Sequence, residues 1–189
     1  MAETKAIIKK KKKWYRINAS KEFKNSFIGE SLSDELNNLI GKTINVNLMN
    51  LTNDPKKQNF KIKFKINEVK NDEAFTEFVS YYAMSTYVKR MIRPGKSKVE
   101  DSFNIKSKSN KDFVVKTFLT ARSKISNSIK TNLRMKSREF LGNYLREKDI
   151  GEILNNLLNG SLQKDLKSAL NKIYPLTMCQ IRVFEVNSR

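Results

Sequence analysis

Apolar and charged positions alternate most regularly over residues 60–66, where every second side chain is apolar and a lysine stands between each pair. Because successive side chains of a strand point to opposite faces, this pattern predicts a strand with one buried face and one basic face. The basic face presents Lys61, Lys63 and Lys65, about 7 Å apart along the strand. The same period of two predicts an earlier strand at residues 43–49.

Other segments with a period of two predict the rest of a sheet. Asn71-Asp72 is typical of a hairpin turn and leads into an aromatic-rich strand at residues 74–81. Two further strands are predicted at residues 99–107 and 112–120, and a last one around residues 181–184.

Apolar residues spaced three and four apart predict the helices. They cover residues 84–92, 123–146, 149–158 and 161–173. Pro94-Gly95, Gly160 and Pro175 end three of these segments, and Asp149 with Glu152 has the spacing of a capping box.

The organisation that follows is α+β, with an antiparallel β-barrel-like or sandwich sheet, flanking helices and an extended basic N-terminal tail. Residues 1–16 are predicted to form the basic disordered tail, because Lys9 to Lys13 are five consecutive lysines that repel one another. Residues 17–189 are predicted to form a single globular domain. Within it, residues 17–42 are expected to be irregular, with a short helix beginning near residues 31–36.

Net charge indicates the class of partner. The chain has 38 Lys and Arg against 19 Asp and Glu, a formal charge of +19. Such an excess opposes compaction by self-repulsion unless a polyanion binds. Nucleic acid is the leading candidate, and an anionic membrane surface is the weaker one. No apolar segment approaches the ~18 residues of a membrane span, so we expect a cytoplasmic protein without membrane contact.

The residue inventory argues against an enzyme. The chain has no His and one Cys, Cys179, which excludes histidine-based catalysis, histidine-ligated metals and an internal disulfide. Gly41-Lys42-Thr43 echoes a phosphate-binding loop but lacks its upstream glycine. Cys179 lies in an apolar strand pattern and is expected in the core. We therefore predict no catalytic residue, no metal site and no cofactor.

Four basic surfaces are the candidate RNA-binding sites: the tail, the lysine face of the strand, the segment around Pro94-Gly95 and the long helix. Their candidate residues are Lys9, Lys10, Lys11, Lys12, Lys13, Trp14, Arg16, Lys61, Lys63, Lys65, Lys89, Arg90, Arg93, Lys96, Lys98, Arg122, Lys124, Lys130, Arg134 and Arg138. Lysines about 7 Å apart match the phosphate repeat of a nucleic-acid strand. Trp14 adds a ring on which an unpaired base can stack.

Each surface also has a structural interpretation. The lysine face could protect a free sheet edge from aggregation, and the helix could simply be solvated. Trp14 could anchor the tail to the domain. For the helix, one-sided charge favours phosphate contact, because Arg134 and Arg138 share a face and Glu139 and Glu147 are its only acids.

The chain resembles a family of small-subunit ribosomal proteins shared by archaea and eukaryotes, called eS-one (older name S-three-A-e). The matching motifs are Lys12-Lys13-Trp14-Tyr15, Ile28-Gly29-Glu30-Ser31, Ile40-Gly41-Lys42 and residues 44–54, 87–93, 96–99, 173–176 and 181–182, in this order. Ser80-Tyr81 and Ser85-Thr86 depart from the family's usual Gly-His and Arg-Asp. The short tails look archaeal.

The resemblance implies a β-barrel-like domain with flanking helices on the platform of the small ribosomal subunit, near the messenger exit. It implies no catalysis. The expected function is therefore structural: to bind and stabilise folded rRNA in support of translation. The expected partners are small-subunit rRNA, neighbouring platform proteins and messenger RNA near the exit, with one copy per subunit. A free-standing basic RNA- or DNA-binding regulator is the alternative.

Overall fold

The computed structural model describes residues 12–106 and 112–187, which contain eight strands and five α-helices. The strands are β1 (Lys13–Asn18), β2 (Phe27–Ser33), β3 (Thr43–Asn47), β4 (Phe60–Lys70), β5 (Glu73–Ala83), β6 (Lys98–Lys106), β7 (Asp112–Ala121) and β8 (Leu176–Asn187). The helices are α1 (Leu48–Thr52), α2 (Ser85–Met91), α3 (Asn127–Glu147), α4 (Ile150–Asn159) and α5 (Ser161–Asn171).

The strands form one sheet in the order β2-β1-β5-β8-β7-β6, with β4 paired to β3 and to β5. The predicted α+β class is confirmed. The barrel expectation is corrected, because the sheet is open. The sheet is also mixed, since β1 pairs with β5 in parallel while β1–β2, β5–β8, β6–β7 and β7–β8 are antiparallel. Alternation along single strands predicts which residues are buried, but it does not determine how strands distant in sequence pair.

The described residues fall into two compact units. The first comprises the chain up to Ile44 and Phe64–Phe78, and the second comprises Asn45–Lys63 and the chain from Val79 onwards. Whether the chain behaves as one globular domain in solution stays a prediction.

The core of the first unit gathers apolar side chains from β1, β4, β5 and the segment before β3. Its buried members are Tyr15, Ile17, Leu39, Ile66 and Ala74. Phe64 is also fully buried, and its ring meets that of Phe23 edge-on at 5.5 Å. This packing explains why residues 13–16, predicted as part of a disordered tail, form strand β1 instead. Residues 17–42, predicted to be irregular, contain the rest of β1 and all of β2, which pairs antiparallel with β1.

In the second unit, α3, α4 and α5 bury their apolar faces within their own chain. Leu133, Leu141, Leu154, Leu166 and Leu170 are each at most 1 % exposed. Helix α5 contacts β8, α3 and α4. The four helices predicted over residues 84–173 are confirmed, apart from their ends. The short helix expected to begin near residues 31–36 is reduced to a 3₁₀ turn at Leu36–Asn38, after β2.

Two element ends differ from the prediction because a side chain changes the backbone path. Asn47 accepts a hydrogen bond from the Met49 amide, so α1 begins at Leu48, where a strand residue was expected. The long helix begins at Asn127 rather than Ser123. The Ser97 hydroxyl accepts a hydrogen bond from the Ile125 amide, which ties this amide to the segment before β6 instead of to a helical turn.

The β4–β5 hairpin turns where the sequence predicts. Asn71 and Asp72 have φ angles of 50° and 62°. Two consecutive residues in the left-handed region characterise a type I′ turn, which Asn and Asp tolerate better than most residues. This turn connects the lysine strand to its partner.

Candidate nucleic-acid interface

The N-terminal candidate surface lies on the solvent side of β1. Tyr15 and Ile17 are buried, so Trp14 and Arg16 point the other way, and Trp14 is 64 % exposed. The Arg16 guanidinium lies 5.4 Å from the centre of the Phe27 ring. Trp14 therefore does not anchor a tail in the core, and its ring is open to a stacking partner.

Lysines flank this exposed ring. Lys12 and Lys13 are exposed, so the described end of the chain combines positive charge with an aromatic face. Lys9, Lys10 and Lys11 lie outside the described residues. The ring and its adjacent charges are the combination that binds unpaired nucleotides without sequence preference.

The lysine strand has the expected two faces. Ile62, Phe64 and Ile66 are at most 1 % exposed, whereas Lys61 and Lys63 are half-buried and Lys65 is exposed. Within the described part of the chain, none of the three lysines forms an ion pair or a side-chain hydrogen bond. Their charges are therefore available to a ligand.

The pairing of β4 tests the structural interpretation of this face. β4 pairs with both β3 and β5, so it is not an edge strand. Lysines that protect a free edge belong on edge strands. The edge-protection interpretation is therefore wrong, and the lysine face needs another explanation.

The third surface is formed by α2 and the turn after it. Lys89 and Arg93 are exposed and have no ion pair among the described residues. Arg90 is held in place, because its Nη2 donates to Asn59 Oδ1 at 2.8 Å and its guanidinium lies over the Tyr87 ring. This surface thus combines two cations without an ion pair among the described residues, Lys89 and Arg93, with one that is held in place, Arg90.

Two further candidate lysines next to α2 have internal partners. Lys96 Nζ donates to Thr177 Oγ1 at 3.5 Å. Lys98 Nζ lies 3.7 Å from a carboxylate oxygen of Glu100. Both contacts are solvent-exposed and contribute little to stability, so either lysine can exchange its partner for a phosphate.

The long-helix surface is more internally paired than its sequence indicates. Arg138 donates from Nε and Nη2 to the two carboxylate oxygens of Asp101 on β6, each at 2.6 Å. This hydrogen bond and the charge of Asp101 raise the pKa of Arg138. Arg134 Nε donates to the backbone carbonyl of Glu100 at 3.1 Å. Both arginines are therefore held by neighbouring residues of β6.

The remaining candidate residues of the long-helix surface, Arg122, Lys124 and Lys130, have no side-chain contact with the sheet among the hydrogen bonds and ion pairs of the described residues. Arg122 and Lys124 are exposed but precede α3, so they are not on the helix as predicted. Lys130 Nζ donates to Asn127 Oδ1 at 3.3 Å within the first turn of the helix. The sequence analysis missed Lys116 and Arg182, which lie beside Arg134 and Arg138 in the structure.

Features of an enzyme site are not found in the described segments. Cys179 is buried, and burial raises the pKa of its thiol to about 12, which suits a core residue and not a nucleophile. No group of His, Cys, Asp and Glu in residues 12–106 and 112–187 is arranged to hold a metal ion. None of the helices in these ranges is long and apolar enough to cross a membrane.

Comparison with known proteins identifies the family. The model of the ribosomal S3Ae family matches residues 5–189. The chain belongs to the ribosomal S3Ae family. This agrees with the resemblance seen in the sequence motifs, and it places the chain among ribosomal proteins, which are structural and not enzymes.

Archaeal members of the S3Ae family are similar along almost their whole length. The relative from Methanobrevibacter smithii, a small ribosomal subunit protein eS1, is 29% identical over 91% of this chain and 89% of its own. The protein of the same name from Nanoarchaeum equitans is 28% identical over 95% and 91%. That from Haloarcula marismortui is 26% identical over 94% and 84%.

Proposed function

We propose that this chain binds and stabilises folded rRNA at the platform of the small ribosomal subunit, near the messenger exit. Family membership itself makes the chain a structural protein of the small ribosomal subunit, which acts in the cytoplasmic ribosome. The position on the platform and the direct contacts with rRNA are our proposal.

The observation that supports rRNA binding most directly is the number of exposed cations that have no ion-pair partner within residues 12–106 and 112–187. They occur on β1, on β4, around α2 and before α3, and they include Lys13, Lys65, Lys89, Arg93 and Arg122. Both compact units have such surfaces. A protein that reads one duplex groove needs a single basic face, whereas one wedged between RNA segments needs several.

The mechanism is charge neutralisation combined with shape matching. Lysine and arginine side chains replace the counterions condensed on RNA phosphates, and the released counterions supply much of the affinity. Phosphate contacts fix the register of the protein on the RNA without reading its sequence. The chain would in this way hold neighbouring rRNA segments together, next to other platform proteins and the messenger RNA, as a single copy per subunit.

Sedimentation of the native protein tests the proposal against a free-standing regulator. A lysate of the source organism is separated on a sucrose gradient in low and moderate salt, and the protein is detected in each fraction. We expect comigration with the small subunit at both salt concentrations, and release when the gradient is repeated in high salt. A protein found mainly in the light fractions at every salt concentration would contradict the proposal.

A further inference from the structure

A hollow of about 380 Å³ lies where α3 meets the sheet of the second unit. Four cationic residues line it: Lys116, Arg134, Arg138 and Arg182. Only two acidic residues, Glu100 and Asp101, share the lining. Cations gathered at this density repel one another, and an anion in the hollow would remove that repulsion.

Two of the arginines are held before any ligand arrives. Asp101 is only 7% exposed and binds Arg138 through two parallel hydrogen bonds. The Glu100 carbonyl holds Nε of Arg134. A guanidinium has five N–H donors, so each arginine retains several for a ligand. A fixed planar fork of donors matches the oxygens of a phosphate group.

An irregularity of the sheet adds the third arginine. Lys116 of β7 pairs with Val183 of β8, but Thr117 pairs with Ile181. Arg182 is therefore an extra residue on β8 that has no partner opposite it, which is the arrangement of a β-bulge. Bulges re-aim a side chain and are frequent beside functional sites. In the described part of the chain, neither Arg182 nor Lys116 forms an ion pair or a side-chain hydrogen bond.

A buried hydroxyl gives an independent indication of a ligand. Thr117 lines the hollow and is 2% exposed, and its Oγ1 has no hydrogen-bond partner among the residues that the structure describes. Buried hydroxyl groups are nearly always paired, so an unpaired one calls for an explanation. A rotation of the Thr117 side chain about its Cα–Cβ bond would let this hydroxyl donate to an anion oxygen bound among the arginines.

We propose that this hollow is a phosphate-binding site whose ligand is a phosphate group of the rRNA backbone. The inference rests on the proposed function, and it adds Lys116, Thr117 and Arg182 to the interface. Asp101 acts as a positioning residue, because it holds Arg138 and its own negative charge would repel a phosphate. Inorganic phosphate has the same chemistry and is the alternative source that the experiment must distinguish.

The first test is the salt dependence of binding to small-subunit rRNA. Arg182→Gln is compared with Arg146→Gln, which removes the same charge from an exposed position of α3 that does not line the hollow. We expect Arg182→Gln to lower the log–log slope by about 0.7–0.9, the value for one phosphate contact, and Arg146→Gln to leave it unchanged. Equal slopes for the two variants would overturn the proposal.

A second variant separates binding from folding. Thr117→Val keeps the side-chain shape and removes the unpaired hydroxyl. Without a ligand, loss of an unpaired buried hydroxyl should leave the melting temperature unchanged or raise it. We expect binding to small-subunit rRNA to weaken several-fold even so. A variant that is at least as stable and binds rRNA as well as the unmodified chain would contradict the site.

The source of the phosphate is settled by NMR of the arginine Nε–H groups. The full chain is titrated separately with a short single-stranded RNA and with inorganic phosphate. Saturable shifts of Arg138 and Arg182 with RNA alone support the rRNA backbone, and saturable shifts with inorganic phosphate alone would overturn that assignment. No shift with either probe would overturn the site itself. Comigration with the small subunit is measured in parallel, so that failure of the site is not mistaken for failure of the proposed function.

Discussion

The lysine face of β4 and the arginine hollow beside α3 are both basic, yet they are built in different ways. Lys61, Lys63 and Lys65 stand on a strand, and none of them has an ion-pair or side-chain hydrogen-bond partner among the described residues. Arg134 and Arg138 are held by β6 through hydrogen bonds. The lysine face supplies mobile charge, whereas the hollow supplies oriented donors.

This difference predicts two kinds of RNA contact. Flexible ammonium groups neutralise any phosphate within reach, so their contributions should add and should depend strongly on salt. Held guanidinium groups select a phosphate at one position, so their contribution should depend on geometry as well as charge. The predictions below separate these contributions, beginning with the largest effect.

Substitutions on the two faces of β4 should change the free energy of unfolding by very different amounts. Phe64→Ala removes a fully buried ring that packs against Phe23, so we expect it to lower the free energy of unfolding by about 3–5 kcal/mol. Lys65→Gln on the neighbouring exposed position should change it by less than about 0.5 kcal/mol. Urea denaturation measures both. Similar losses in both variants would mean that the lysine face is part of the core.

Charge alone should account for the lysine face. Replacing Lys61, Lys63 and Lys65 together by Gln should lower the log–log slope of rRNA binding by about two units, because three phosphate contacts are lost. The circular dichroism spectrum and the unfolding midpoint should stay as in the unmodified chain. An unchanged slope would remove β4 from the interface.

Orientation should matter more than charge in the hollow. Asp101→Asn removes a negative charge, so charge counting predicts tighter binding to rRNA. We predict weaker binding, by about threefold, because Arg138 loses the partner that fixes its guanidinium. The free energy of unfolding should fall by about 1 kcal/mol, since Arg138 itself is half exposed. Tighter binding by the variant would show that Asp101 only screens the hollow.

The smallest predicted effect concerns Cys179. Burial raises the pKa of its thiol from 9.0 to about 12, so the folded state holds the proton more tightly than the unfolded state. The resulting stability is fully present below pH 9 and is lost as the pH rises towards 12. Thermal melts between pH 7 and 10 should show a steeper decline for the unmodified chain than for Cys179→Ala. Equal declines would contradict the burial of the thiol.

Much of the fold from Thr43 onwards could be predicted, because its elements have a regular apolar period and clear ends. The hairpin turn at Asn71-Asp72 and the end of α4 at Gly160 show this, since both have the left-handed backbone expected of those residues. Strand β1 was not predicted because its buried residues, Tyr15 and Ile17, directly follow a run of lysines. Strand β2 was not predicted because Ser33 is its one buried residue and its apolar side chains stay at least partly exposed.

The candidate site could be predicted only where the charges are local in sequence. The lysine strand and the exposed cations near α2 follow from patterns of a few residues. The Arg138–Asp101 pair joins α3 to β6 across 37 positions, so no local pattern reveals it. The bulge that presents Arg182 depends on the register between β7 and β8, which the sequence of either strand does not determine.

Site-specific crosslinking in intact small subunits tests the central claim most directly. Photoreactive groups are placed at Trp14, Lys63 and Arg134 one at a time, on three different surfaces of the chain. We predict crosslinks to at least two rRNA segments that are distant in sequence and belong to the platform. Crosslinks confined to one short segment, or located in the head of the subunit, would contradict the account.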